Sequence, residues 1–235
     1  IIATKAMKLE ESIKNLKDQI NLNSPIITIQ NGLGAGDIIL KYMPKNSIIL
    51  GVAEGFGASL KAPGSIIHTA NKQIRLGSIS NKMSDSELQN IVSAWRSSGL
   101  KTEIYENIEQ LIWEKLLCNV TLSGPCSIFR CNVKDLLNKE EYWTFALNCM
   151  REAYTVGLAK GVPFSFDDPV DYVTDFAKRV GSAKPSMLQD FESNKKTEID
   201  FINGAIPPLA AKLKISTPFN NNVCKIIHDA EKSFR

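Results

Sequence analysis

Ile108-Glu-Gln-Leu-Ile-Trp-Glu-Lys-Leu-Leu-Cys-Asn-Val120 is the stretch at which this chain changes character. Its apolar residues recur at the three-and-four spacing of a helix, so Leu111, Leu116 and Val120 can serve a core. Lys115 and Asn119 lie four apart and share another face of the same helix. From Ile108 onward the chain reads as long helical periodicities. Breaks are expected at Gly124-Pro125, Gly161-Val-Pro163, Lys184-Pro185 and Thr217-Pro218. Residues 108–235 are therefore expected to form an all-helical domain.

Upstream, over residues 1–107, short β-rich runs dominate: Pro25-Ile-Ile-Thr-Ile29, Ser47-Ile-Ile-Leu-Gly-Val52, Ser65-Ile-Ile-His68 and Gln73-Ile-Arg-Leu-Gly77. Met7 to Ile20 carries apolar residues at 9, 13, 16 and 20, the pattern of an amphipathic helix. Ser84 with Glu87 has capping-box spacing and opens a second helix through Leu88, Ile91, Val92 and Trp95 that Gly99 ends. Leu100-Lys-Thr-Glu-Ile-Tyr105 can return as an edge strand. Strand, helix, strand is the order of an α/β unit. The fold class expected is thus α/β followed by all-α. Ile1-Ile2-Ala3 reads like the end of a strand already under way, and with no Met in front an upstream segment is expected.

Lys and Arg exceed Asp and Glu by 28 − 25 = 3. That excess is too small for a surface tracking a phosphate backbone, so nucleic acid is not an expected partner. Hydrophobic content of 43% with 23% charged residues is that of a folded globular chain. No stretch reaches the roughly 18 uninterrupted apolar residues of a membrane span, so no membrane partner is expected and a cytoplasmic location is. The five cysteines form no Cys-x-x-Cys pair and read as reduced thiols. With only two histidines beside them, no metal site and no His-dependent hydrolase is expected. His68, inside a strand-like run, reads as structural.

Four segments carry chemistry. On the 108–120 helix, a lysine ammonium can donate a hydrogen bond and then a proton to an oxygen gaining negative charge, the role that ketone reduction needs. Taken alone, Lys115 and Asn119 would also describe a solvated helix face. Ser186-Met-Leu-Gln-Asp190 and Lys196-Thr-Glu-Ile-Asp-Phe-Ile-Asn-Gly204 read as two helix starts, with capping-box spacing at Ser186/Gln189 and Thr197/Asp200. Glu198 would then fall in a first helical turn that favours an ionised carboxylate, where it could accept a bond from a substrate hydroxyl. Ile29-Gln-Asn-Gly-Leu-Gly34 puts an Asn-Gly turn at the carboxyl end of a strand, the edge where ligands of open α/β sheets sit. Lys5, in Ala3-Thr-Lys-Ala6, follows another strand end. The Gly32-x-Gly34-x-Gly36 run lacks the spacing of a dinucleotide fingerprint.

In order and spacing, Thr4-Lys5-Ala6, Asn31-Gly32, Trp113-x-Lys115-x-x-x-Asn119, and Ser186-Met-Leu-Gln-Asp190 with Thr197-Glu-Ile-Asp-x-Ile-Asn-Gly204 resemble the ketopantoate reductase family along nearly the whole chain. The resemblance implies a Rossmann-type NADP-binding domain, here residues 1–107 and truncated, and a helical substrate and dimerisation domain like that of 6-phosphogluconate dehydrogenase, here 108–235, with the active site in the cleft between. It implies NADPH-dependent reduction of 2-dehydropantoate to pantoate, in pantothenate and coenzyme A biosynthesis. Lys115 would be the general acid. Asn119, Ser123, Ser186 and Glu198 would bind a small 2-keto acid, and Lys5 and Asn31 would contact NADPH. A homodimer is left open.

The chain departs from the family pattern in three places. Ser123 stands where a second asparagine is common. A further family asparagine falls at Val133 unless Asn132 serves after a one-residue shift. The Gly-x-Gly-x-x-Gly loop that holds cofactor phosphates is missing. A related 2-keto-acid reductase, or a catalytically silent binding module, are the alternatives these departures allow.

Overall fold

The computed structural model describes residues 1–21, 23–44, 46–79 and 83–234. They divide into two compact units, one of Ile1–Gln30 with Ala35–Leu111 and one of Asn31–Gly34 with Ile112–Arg235.

The first unit is built on a four-stranded sheet in the order β1 (Ile26–Thr28), β2 (Ile48–Ala62), β3 (Ser65–Ser78), β4 (Thr102–Ile104). β1 runs parallel to β2 and β4 parallel to β3, while β2 and β3 form an antiparallel hairpin. Ile2 adds a parallel bridge to Thr28 on the free side of β1. All three β1 residues are buried, as expected of a strand covered on both faces. On one face Ile27, Ile49, Ile74 and Leu76 pack with Leu88 and Val92 of α3 (Asp85–Ser97). On the other, Leu50 approaches Gly36 of α2 (Ala35–Tyr42). α2 is a helix that sequence periodicity does not announce.

Two expectations for this unit need correction. The helix expected over 7–20 is a 3-10 turn, Ala6–Lys8, followed by α1 over Leu9–Leu16 only. Leu9 and Ile13 are fully buried but Leu16 is exposed, so the apolar stripe ends and nothing supports a longer helix. The runs 65–68 and 73–77 are one strand, because the ladder with β2 continues through the polar residues between them. Pro63-Gly64 closes the hairpin, Gly64 taking φ +77°. The capping box of α3 forms as read: Ser84 Oγ accepts from Glu87 N at 3.3 Å and Glu87 Oε2 accepts from Ser84 N at 2.8 Å. Gly99 follows its end at φ +85°, and β4 is the edge strand.

The second unit is helical: α4 (Ile108–Phe129, whose first four residues count with the first unit), α5 (Val133–Asn138), α6 (Glu140–Ala159), α7 (Pro169–Val180), α8 (Ser186–Glu192), 3-10 turns at Ile199–Phe201 and Asn203–Ala205, α9 (Ile206–Lys212) and α10 (Pro218–Glu231). Trp113, Leu117, Met150, Val156, Phe191 and Ile202 are among the residues of its main core. The breaks expected at Gly161, Pro185 and Pro218 separate helices, but the one at Gly124-Pro125 does not. α4 runs through it. A proline there gives up the bond to the Thr121 carbonyl, at a cost of about 3 kcal/mol. Thr121 Oγ1 and Ser127 Oγ bond carbonyls one turn back, at 2.6 and 2.8 Å, an arrangement that lets a helix bend. Asn203 Nδ2 donates to the Val120 carbonyl at 3.1 Å, and burial from Leu122 to Cys126 keeps the helix in place.

Candidate active site

Along α4, Lys115 and Asn119 are half-buried and Ser123, one turn further, is 5% exposed. The spacing of four sets these three groups in a row down one side. Between them Leu116, Leu117 and Val120 enter the core. Glu114 is buried and accepts the Ser165 N–H at 2.8 Å, which ties α4 to the loop before α7. Cys118 is held neutral: burial pushes its thiol up to about 12, against the opposing pull of the nearby Arg179 and Lys115 charges. A thiol in that state is no nucleophile.

Glu198, 7% exposed, is the N-cap of the turn Ile199–Phe201, not a first-turn residue of a longer helix. Neither expected capping box forms here. Thr197 Oγ1 accepts from Ile199 N at 3.3 Å and donates to Glu231 Oε1 at 2.7 Å, and Thr197 N donates to the same oxygen at 2.8 Å. Asp200 pairs instead with His228 at 2.8 Å. Ser186 is the first residue of α8 with Pro185 as its N-cap, and Gln189 reaches the Lys184 carbonyl at 2.9 Å. The capping spacing fails because these oxygens and amides found partners distant in sequence or outside the helix. Ser186 is exposed, and the next two residues, Met187 and Leu188, anchor α8 in the cores that α4 also lines.

The loop Asn31–Gly34 counts with this unit. Leu33 N donates to the Phe201 carbonyl at 2.9 Å, and the Leu33 side chain packs on the main core. Gly32 has φ +88°, and a Cβ there would lie 2.0 Å from Phe201 O. Asn31 is thereby held beside the turn that Glu198 caps. Lys5 lies in the other unit, exposed, as N-cap of the Ala6–Lys8 turn. Gln30 Nε2 donates to the Thr4 carbonyl at 2.7 Å, tying the segment that follows the Ile2 bridge to the end of β1.

The two positions weighed for the further family asparagine are both engaged elsewhere in the fold. Val133 is fully buried, and Asn132 caps α5, its Oδ1 accepting from Asp135 N at 3.0 Å and its Nδ2 donating to Asp135 Oδ2 at 2.7 Å. What sequence reading missed is the buried amide network behind the site, Asn203 with Asn220 and Glu152. Its one visible sign was an amide, Asn203, among apolar neighbours.

Residues 107–231 match the family described as "Ketopantoate reductase PanE/ApbA C terminal", and residues 1–81 match "Ketopantoate reductase PanE/ApbA". The chain belongs to the ketopantoate reductase family. Among curated relatives of this family member, the 2-dehydropantoate 2-reductase of Streptococcus pyogenes serotype M6 is 31% identical over 232 residues, 98% of this chain and 75% of the relative. That of Lactococcus lactis subsp. lactis is 29% identical over 237 residues, 99% of this chain and 75% of the relative. Both relatives are oxidoreductases by name.

Among solved structures, a D-mandelate dehydrogenase with NADH and anilino(oxo)acetate superposes with a TM-score of 0.88 at 25% identity, covering 100% of this chain and 77% of that one. The 2-dehydropantoate 2-reductase from Methylococcus capsulatus gives 0.86 at 25%, covering 97% and 73%. The fold is that of ketopantoate reductases: a mixed sheet with helices, then a helical region. No helix among the described residues is long and apolar enough to cross a membrane.

Proposed function

We propose that the protein carrying this chain reduces 2-dehydropantoate to pantoate with NADPH, as a cytoplasmic step toward pantothenate and coenzyme A. Residues 1–107 would serve the cofactor and 108–235 the substrate. The observation that carries the reading is the contact of Leu33 with Phe201, since it sets Asn31 beside the Glu198 turn in the same unit as Lys115. Membership of a family whose relatives are named for this activity supports it.

The residues present fit the nicotinamide end of such a cofactor. In the second unit the half-buried Asn31, which follows β1, offers the amide that a carboxamide can bond, and in the first unit the exposed Lys5, which follows the Ile2 bridge, offers a cation for a ribose. Gly34, three residues after Asn31 in the same loop, has φ +93° and leaves open space where a Cβ would stand. When bound, the cofactor supplies the hydride that reduces the keto carbon. Lys115 Nζ would bond the keto oxygen and give it a proton as the C=O bond becomes C–O, then recover its proton from solvent. Asn119 would orient the same oxygen, Ser186 would donate to the substrate carboxylate, and Glu198 would accept the substrate hydroxyl. Ser123 is a shorter polar group one turn beyond Asn119.

A second reading, a reductase of a different 2-keto acid, is favoured by one observation. Val133 lies in the core and the Asn132 side chain is spent as a cap, so the polar lining is thinner than the family pattern. Cofactor-oxidation assays of the full-length protein with 2-dehydropantoate and with phenylglyoxylate separate the two. Preference for 2-dehydropantoate is expected. Turnover of neither would overturn the oxidoreductase reading.

A further inference from the structure

Asn203 is fully buried, yet it is an amide inside an apolar core. Its Nδ2 donates in two directions, to the Val120 carbonyl of α4 at 3.1 Å and to Asn220 Oδ1 of α10 at 3.0 Å. Among the described residues its Oδ1, buried, has no hydrogen-bond partner, which costs stability on the order of 1–3 kcal/mol. Gly124 faces it so closely that a Cβ there would meet Asn203 Oδ1 at 2.7 Å and Val223 Cγ1 at 2.5 Å. An apolar residue of the same shape would avoid the orphaned oxygen. A fully buried polar group retained at such a cost is a candidate for specifying one arrangement over near alternatives.

The arrangement in question joins two segments. Val120 follows Asn119 and lies five residues beyond Lys115 on α4. Asn203 follows Glu198 by five residues, and only the turn Ile199–Phe201 and Ile202 stand between. That turn is also held by Leu33 N on Phe201 O. Asn220 takes a different part: besides accepting from Asn203, its Nδ2 donates to the Cys149 carbonyl at 2.9 Å and to Glu152 Oε2 at 2.7 Å, so it binds α10 to α6 and leaves the Asn203–Val120 bond to Asn203 alone.

We propose that Asn203 is a positioning residue: by gripping the Val120 carbonyl it sets the distance between α4, with Lys115 and Asn119, and the turn capped by Glu198. The inference rests on Lys115 as proton donor and Glu198 as substrate anchor. A substrate held at Glu198 meets the Lys115 ammonium only while that distance is kept. Loss of the grip therefore slows the chemical step more than it weakens binding.

Steady-state kinetics and melting curves of four variants of the full-length protein test this. The shape-matched Asn203→Leu removes both donors without adding charge, and its kcat should fall by about 10²-fold with KM within about threefold, the scale of an ångström-sized misplacement. Asn203→Asp should recover turnover toward acid pH, where the protonated carboxyl can donate to Val120 O again. Gly124→Ala pushes on the same contact from α4 and should reproduce the kcat loss, which keeps the test open if an Asn203 variant does not fold. Asn220→Ala removes more hydrogen bonds and should lower the melting temperature further, with kcat within about twofold.

The proposal is overturned if Asn203→Leu and Gly124→Ala turn over at the parental rate, or if kcat follows lost stability equally in the Asn203 and Asn220 variants. Lys115→Ala in the same series separates the two levels. Parental turnover by that variant would overturn the functional reading itself, whereas an inactive Lys115→Ala beside a fully active Asn203→Leu would overturn the positioning role alone.

Discussion

The Leu33 N–H and the Phe201 carbonyl, 2.9 Å apart, join a loop that leaves β1 to the short turn behind Glu198. Gly32 makes the approach feasible, because its φ is +88° and an added methyl carbon would stand only 2.0 Å from Phe201 O, which excludes any side chain. Gly32→Ala should destabilise the protein by about 2–4 kcal/mol, combining left-handed backbone strain with overpacking. The urea midpoint reads this directly, and an unchanged midpoint would mean that the loop is not docked on the turn.

Lys115→Ala should lower kcat by about 10²–10⁴ while cofactor affinity changes little, the usual scale for a lost general acid. Retained turnover would move the proton donor elsewhere. Glu198→Gln should act chiefly on KM for the keto acid, as the carboxylate is assigned to a substrate hydroxyl. A KM equal to the parent's would leave Glu198 as no more than the cap of its turn.

In the first unit, Ser84→Ala removes the side-chain half of the α3 capping box and loosens the other. A loss of about 1 kcal/mol in unfolding free energy is expected. Equilibrium denaturation would detect it, and kinetics measured well below the transition should not move.

The thiols impose an alkaline limit. Burial is the leading cause that raises Cys118 and Cys224 from the ordinary 9.0 to about 12, and Cys126 and Cys149 move the same way. Above the ordinary value the unfolded chain loses these protons while the folded chain keeps them, so stability is intact below pH 9 and falls as pH climbs toward the folded values. By about pH 10.5 a single fully buried thiol should cost about 2 kcal/mol. Urea midpoints across that range, with Cys118→Ala flattening the slope, check the sign. At neutral pH the native protein should react with a thiol reagent far more slowly than the denatured one.

Hydrophobic pattern alone made the two-part architecture legible: runs such as Ile26-Ile27 and Ile48-Ile49 announce buried strands, and the period from Leu111 to Val120 announces α4. Local chemistry was legible where its partners are local, as at Ser84 with Glu87. It misled where they are not. Thr197 found Glu231 instead of Asp200, Gln189 found Lys184, and Pro125 sits inside a helix because a bond from Asn203, 83 positions away to Val120, and burial hold α4 together.

By itself, then, the sequence determined which residue types are available on which helix face, and the family that Trp113 to Asn119 and Ser186 to Gly204 mark out, since both follow from spacing along the chain. Tertiary structure alone decided that Asn31 stands beside the Glu198 turn, that Asn132 is spent as a cap and Val133 as core, and that Asn203 grips α4. Each of these depends on groups far apart in sequence competing for the same hydrogen bond or the same buried volume, and that competition is resolved only when the chain closes on itself.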